Sequence, residues 1–205
     1  MNRLFCVLVF FLIEFFLSAE SAYVQRVVDG DTLVLEDGRK IRLIGVDTPE
    51  VHVSQKLYND SSRTGEDIAT IRELGLRASV FTKKYLEKQK VKLEYEASNQ
   101  VTGHKDKYGR TLAYVYVHLT RLPPEYEEYL SKKGEKKARK QKKVLFNQLL
   151  IQCGYANAYT RFPFEYLEDF RTCEREARTF ETGLWKLRTD AESKPPVVAR
   201  MKIRK

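Results

Sequence analysis

Two apolar runs, Val27 to Leu35 and Ile41 to Val46, flank Asp37-Gly38, a dipeptide that favours the tight turn of a β-hairpin because both of its residues tolerate positive φ. That turn commits its neighbours to antiparallel pairing. The acidic residues gather away from it: Asp29 and Asp31 lead into the hairpin's first strand, and Asp47 and Glu50 leave its second. A two-residue turn pairs residues whose numbers sum to 75, so Leu35 faces Lys40, Leu33 faces Arg42 and Asp31 faces Ile44. Alternation then sets Asp31 and Arg42 diagonally on one side of the ribbon, an acid beside a base. Gly45 predicts a bulge or bend and Pro49 ends the pairing, so Asp47 and Glu50 emerge just past the strand.

At 205 residues the chain is long enough for one domain with a sizeable core, and it has no internal repeat. Residues 1–22 read as a secretory signal peptide. Asn2-Arg3 is a short positive start, Leu4 to Leu17 is nearly all apolar, and Ser18-Ala19-Glu20-Ser21-Ala22 supplies small residues, with cleavage expected near Ala22. The apolar run is short for a membrane span and carries Glu14. The expected location is secreted or periplasmic; left uncleaved, the segment would hold the protein at the cell envelope. The formal net charge is +9, and removing residues 1–22 leaves 36 basic and 26 acidic side chains, a net +10. In an exported protein this points to a polyanionic partner: nucleic acid, anionic lipid or cell-wall polymer. Cys6 leaves with the signal, and Cys153 and Cys173 either form one disulfide or stay as buried thiols. His52, His104 and His118 are too widely spaced to argue for zinc.

Val51 to Gly65 is polar and reads as a loop beside the hairpin's open end. Beyond it, Ile68, Ile71, Leu74, Ala78, Phe81 and Tyr85 recur at steps of three or four, the period of an amphipathic helix, with Gly75 inside the pattern. Val91, Leu93 and Tyr95 alternate with charged residues as a half-buried strand does, and Leu112 to Val117 forms another strand entered through Asp106-Lys107-Tyr108-Gly109-Arg110. A helix follows Pro123-Pro124, acidic first and then densely basic from Lys132 to Lys143, the order favoured by its dipole. That basic stretch, an insertion over about 121–143, is either a solvated face or a nucleic-acid contact. Val144 to Ile151 restores apolar spacing up to Gly154, and a last helix runs from about Phe164 to Thr182 with Gly183 as its cap. Residues 189–205 form a basic tail with little to bury. The order predicts an α+β domain over 23–188: a five-stranded, mainly antiparallel OB-fold barrel with about three packed helices.

Asp31 and Asp47 offer hard oxygen ligands, which suit calcium or magnesium better than zinc and leave positions open for substrate and water. Asp29 is better read as a turn residue. Arg42, inside an apolar strand, and Arg110, after a glycine, need anionic partners: the forks of a phosphodiester clamp, or internal pairing with the nearby acids. Glu50 stands where a carboxylate can hold or deprotonate a water. Together these are the parts for metal-assisted phosphodiester hydrolysis.

Asp29-Gly30-Asp31-Thr32, Arg42 through Val46-Asp47-Thr48-Pro49-Glu50, and Asp106-Lys107-Tyr108-Gly109-Arg110 strongly resemble the thermonuclease (staphylococcal nuclease) family, and Glu176-Ala177-Arg178 with Gly183-Leu184-Trp185 extends the likeness over roughly Tyr23 to Lys186. The resemblance implies an OB-fold barrel and a secreted, monomeric, calcium-dependent nuclease that cleaves DNA and RNA at the 5′ side of the phosphodiester to leave 3′-phosphate ends. It implies Asp31 and Asp47 as side-chain calcium ligands, Thr48 as a carbonyl ligand, Arg42 and Arg110 as phosphate-binding arginines and Glu50 as the residue acting on water. Tyr108, with Lys107 beside it, and Tyr155 or Tyr159 correspond to nucleotide contacts. The segments from Glu50 to Ala78 and from Thr120 to Lys143 are longer than in the secreted prototype. A non-catalytic nucleic-acid-binding barrel of the same family is the alternative function.

Overall fold

Leu33, Leu35, Ile41, Leu43, Leu93 and Val115 are almost wholly buried, and they come from strands far apart in sequence whose inward faces meet in one core. The computed structural model describes residues 20–135 and 143–187, without the side chains of Arg63 and Thr64. Its strands are β1 (Glu20–Val27), β2 (Thr32–Leu35), β3 (Lys40–Leu43), β4 (Val46–Asp47), β5 (Lys90–Glu94), β6 (Thr111–Val117), β7 (Val144–Leu145) and β8 (Asn157–Ala158). The helices are α1 (Gln55–Thr64), α2 (Ile68–Leu86), α3 (Pro124–Lys133), α4 (Phe146–Gln152) and α5 (Leu167–Thr179).

The main sheet runs β3-β2-β1-β5-β6-β7, and a parallel pairing of β3 with β6 closes the first five strands into a barrel. All its other pairings are antiparallel, as expected for an OB-fold. Closure removes the sheet's exposed edges, and it also brings Arg110, just before β6, toward Arg42 on β3. Phe146, Leu149 and Leu150 of α4 and Phe170 of α5 add their side chains to the barrel's core.

The hairpin forms, one residue out of the predicted register. Thr32 faces Arg42, Leu33 faces Ile41 and Val34 faces Lys40. The turn holds three residues: Leu35 N–H donates to Arg39 C=O (2.9 Å), Gly38 N–H donates to Leu35 C=O (3.0 Å), and Gly38 takes φ +86°. A type I turn followed by a left-handed glycine accounts for the shift of the whole ladder by one position. Gly45 bends the chain between β3 and β4 as expected, at φ +70°.

The expected loop at Val51–Gly65 contains α1. Ser54 caps it by accepting from Leu57 N–H (3.2 Å), and Gly65 ends it in the left-handed conformation. One fully buried residue, Leu57, pins the helix, and a single apolar position leaves no periodic signal. The described residues contain five α-helices against the three expected; α3 and α4, read as one basic-to-apolar run, are separate elements.

The fifth barrel strand begins inside the segment read as signal peptide. Glu20, Ser21 and Ala22 pair with Leu93, Lys92 and Val91, and the Glu20 carboxylate accepts from Arg39 and the Tyr95 hydroxyl. The rest of that segment, residues 1–19, lies outside the described residues, as do residues 136–142 of the lysine-rich insertion and the tail (189–205). Among the described residues no helix is long and apolar enough to cross a membrane. Cys153 and Cys173 are buried free thiols, and burial pushes both thiol pKa values up.

Candidate active site

The site begins in the turn that enters β2. Asp29 Oδ1 accepts from Asp31 N–H (3.1 Å), the turn role expected of it, and burial together with the charge of Asp31 pushes its pKa up to about 6. Asp31 is buried and fully engaged: it accepts from Thr48 N–H (2.9 Å), the Thr48 hydroxyl (3.0 Å) and the Thr32 hydroxyl (3.2 Å). Burial disfavours its charge, yet Arg42 and the Thr48 N–H outweigh that effect and hold its pKa below the ordinary value.

Arg42 lies between the two candidate ligands. Its Nη1 is 2.8 Å from Asp31 Oδ1, and its Nη2 donates to Asp47 Oδ1 at 3.4 Å. The first contact is an ion pair off the N–H direction, so Nη1 is buried without a directed hydrogen bond. A buried guanidinium nitrogen with an unsatisfied donor is a place for one more anionic oxygen. Arg110 joins from the neighbouring strand. Asp106 orients it with one oxygen on the edge of the fork, Oδ2 accepting from Nε (2.8 Å) and lying 2.7 Å from Nη2, while Nη1 donates to the Thr32 hydroxyl (3.3 Å). Asp31, Arg42, Asp47, Thr48 and Arg110 thus form one connected cluster, as their sequence positions predict.

β4 pairs with β8, Asp47 opposite Asn157, and this small ribbon fixes Asp47 beyond the barrel strand. Burial is the main reason that the Asp47 pKa is raised, with Lys56 and Arg42 pulling against it. Lys56, on α1, puts its ammonium 2.8 Å from Asp47 Oδ1 and 3.4 Å from the Thr48 carbonyl. No periodic or motif signal singles out that lysine. Glu50 turns its carboxylate back on its own loop, accepting from Val51 N–H (3.1 Å) and His52 N–H (3.2 Å).

Gly75 explains why the Glu50 loop lies where it does. A Cβ at this position on α2 would sit 2.6 Å from the Pro49 carbonyl oxygen and 2.9 Å from that of Glu50, so only glycine admits the loop against the helix. Arg72, one turn earlier, donates from Nε to the Val51 carbonyl (3.0 Å). The glycine inside an apolar stripe was the one visible sign of this close approach. Thr32 and Arg72 carry no such sign.

Tyr108 is exposed on the Arg110 turn, with Lys107 Nζ 5.0 Å and the Arg110 guanidinium 5.4 Å from its ring centre. Tyr159 follows β8 and donates its N–H to the Gly45 carbonyl (2.9 Å), beside exposed Phe162. Tyr155 is elsewhere: it stacks on Phe81 and donates to Glu125 at 3.0 Å, so the structure does not bring it to the cluster.

The donors available for a metal are the Asp31 and Asp47 carboxylates and the Thr48 carbonyl. No cluster of three His, Cys, Asp or Glu occurs among the described residues, so a resident ion would rely on few protein ligands. Three hard oxygens on adjoining elements, each already drawing a cationic nitrogen, fit calcium or magnesium, whose shell water or substrate would complete.

Residues 40–187 match the family described as Staphylococcal nuclease homologue. The chain is 32% identical over 166 residues to a thermonuclease of Staphylococcus hyicus, covering 79% of this chain and 73% of that protein. A thermonuclease of Staphylococcus intermedius is 45% identical over 101 residues, 48% of this chain and 49% of its own. Endonuclease YncB of Bacillus subtilis is 28% identical over 165 residues, 78% of this chain and 59% of its own. The matched region takes in Arg42, Asp47, Glu50 and Arg110 together with the strands that hold them, and the protein belongs to the staphylococcal nuclease homologue family.

Proposed function

We propose that the protein is an exported, calcium-dependent nuclease that hydrolyses DNA and RNA at the 5′ side of the phosphodiester and leaves 3′-phosphate ends. The observation that carries this reading is the Arg42 guanidinium, lodged between two carboxylates with an unsatisfied donor on a buried nitrogen, while Arg110 reaches the same Asp31 through the Thr32 hydroxyl. Two guanidinium forks on one phosphodiester would neutralise the charge that grows on its oxygens as a water attacks. Glu50, once its carboxylate leaves the Val51 and His52 amides, would accept the proton of that water. Asp31, Asp47 and the Thr48 carbonyl would hold calcium, which supplies positive charge to a substrate oxygen and to the water. Tyr108, Lys107 and Tyr159 would flank the bound strand, where a ring offers stacking and a lysine offers charge. Thermonuclease and endonuclease relatives support the reaction class, and the apolar run from Leu4 to Leu17 supports export.

A calcium-supplemented assay on single-stranded DNA and RNA tests the reading. Cleavage should require calcium, stop on chelation, and fall by about a thousandfold or more in Glu50→Gln or Arg110→Ala, the scale of losing a transition-state donor or base. Undiminished activity in those variants would refute the site, and binding without cleavage in calcium would favour a non-catalytic nucleic-acid-binding barrel.

A further inference from the structure

We infer that Lys56 is a tethered competitor of the metal: its ammonium holds the candidate calcium position when no metal is bound, and calcium binding expels it, so that Lys56 sets the site's calcium affinity. This rests on the calcium reading above. The ammonium reaches Asp47 Oδ1 at 2.8 Å and the Thr48 carbonyl at 3.4 Å, two of the three oxygens proposed as metal donors. An oxygen that binds calcium at about 2.3–2.6 Å cannot also keep an ammonium at that distance, because the two cations would repel at close range in a partly buried site.

The lysine is held there. It lies between Ser54, which caps α1, and Leu57, which is fully buried, so its backbone is pinned on both sides. It also occupies the first turn of α1, where the helix dipole disfavours a cation. The acidic partner compensates for that placement. Each candidate carboxylate is matched by a cation of the chain, Asp31 by Arg42 and Asp47 by Lys56 and Arg42.

The test is a titration of the purified protein with calcium chloride in the absence of nucleic acid, followed by calorimetry and by amide hydrogen exchange. Lys56→Met should bind calcium about tenfold more tightly than the unaltered protein, the factor that corresponds to roughly 1.4 kcal/mol. Lys56→Arg, which keeps the cation, should stay near the unaltered affinity. Calcium should speed exchange in the first turn of α1 in the unaltered protein, whereas in Lys56→Met that exchange should already be fast without calcium. Unchanged or weaker calcium binding in Lys56→Met, with normal binding by the unaltered chain, would overturn the competitor role and leave the calcium reading standing. If neither protein bound calcium, both would fall.

Discussion

Arg110 donates from Nη1 to the Thr32 hydroxyl at 3.3 Å, and that hydroxyl in turn donates to Asp31 Oδ1 at 3.2 Å. Thr32 therefore spaces the outer arginine from the buried acid. Thr32→Val keeps the β-branched shape that β2 buries and removes both bonds. The expected result is a kcat on single-stranded DNA about tenfold lower, since a hydrogen bond to a charged group is worth about 1.5–3 kcal/mol and part of it is recovered by Asp106. Thr32→Ser should restore most of the rate. Equal rates in the valine and serine variants would show that the hydroxyl does not position Arg110.

Gly75 and Glu50 are coupled through space, with the helix leaving room for the loop. Gly75→Ala puts a methyl where the Pro49 and Glu50 carbonyls now lie, both under 3.0 Å away. Alanine favours a helix interior by about 1 kcal/mol over glycine, so the fold should lose little stability while the loop shifts. We expect kcat to fall about tenfold or more with KM nearly unchanged, because a small displacement of Glu50, the proposed base, would cost rate more than binding. A large drop in thermal midpoint with kcat intact would refute the positioning role.

How much of this was legible in the sequence follows from which residues carry a periodic or local signal. β2, β3, α2, β5 and β6 show apolar runs, alternation or helical spacing; Asp31, Asp47, Glu50 and Arg110 stand close to the Gly or Pro residues that mark strand ends, and Arg42 is a charge set between Ile41 and Leu43 in an apolar strand. The hairpin register was missed because Asp37-Gly38 serves a two-residue turn and a three-residue turn equally well, and only the chain's path shows that Glu36 belongs to the loop. Asp31 still meets Arg42, since it lies past the strand end, where alternation no longer governs direction. The start of β1 was hidden by small residues that also suit a cleavage site. Lys56 was hidden because a lysine in a polar stretch looks like any solvated lysine, and its role depends on a helix held by Leu57 alone.

Glu96 is one of the carboxylates through which acid weakens the barrel. It accepts from the Tyr114 hydroxyl and from Glu165 N–H (2.8 Å), tying the end of β5 to β6 and to the approach to α5. Burial works to raise its pKa, but these hydrogen bonds outweigh burial and hold it below the ordinary 4.5. A carboxyl depressed in the folded state contributes stability above its unfolded pKa and loses it as pH falls through the folded value. Urea unfolding between pH 7 and pH 3 should therefore show stability declining below about 4.5. Glu96→Gln should be about 2 kcal/mol less stable at pH 7 and show a shallower decline in acid. Parallel curves for the two proteins would remove Glu96 from the account.

Asn147 binds three backbone groups from one buried position. Its Nδ2 donates to the Ile44 carbonyl (2.9 Å) and the Ala113 carbonyl (3.2 Å), and its Oδ1 accepts from Val115 N–H (2.9 Å). It thereby fastens α4 to β6 and to the bend that carries the chain from Arg42 to Asp47. Asn147→Ala leaves the Val115 amide without its acceptor and opens a small cavity, a combined loss of about 2–4 kcal/mol. Asn147→Asp keeps the acceptor but replaces two donors with a buried charge facing carbonyls, and it should be worse. Because Ile44 lies between Arg42 and Asp47, Asn147→Ala should also weaken calcium binding at temperatures where the protein stays folded. Calorimetry well below the thermal midpoint separates the two effects. An alanine variant that is less stable yet binds calcium normally would mean that the bend at Ile44 keeps its shape without the amide, leaving Asn147 with a purely structural part.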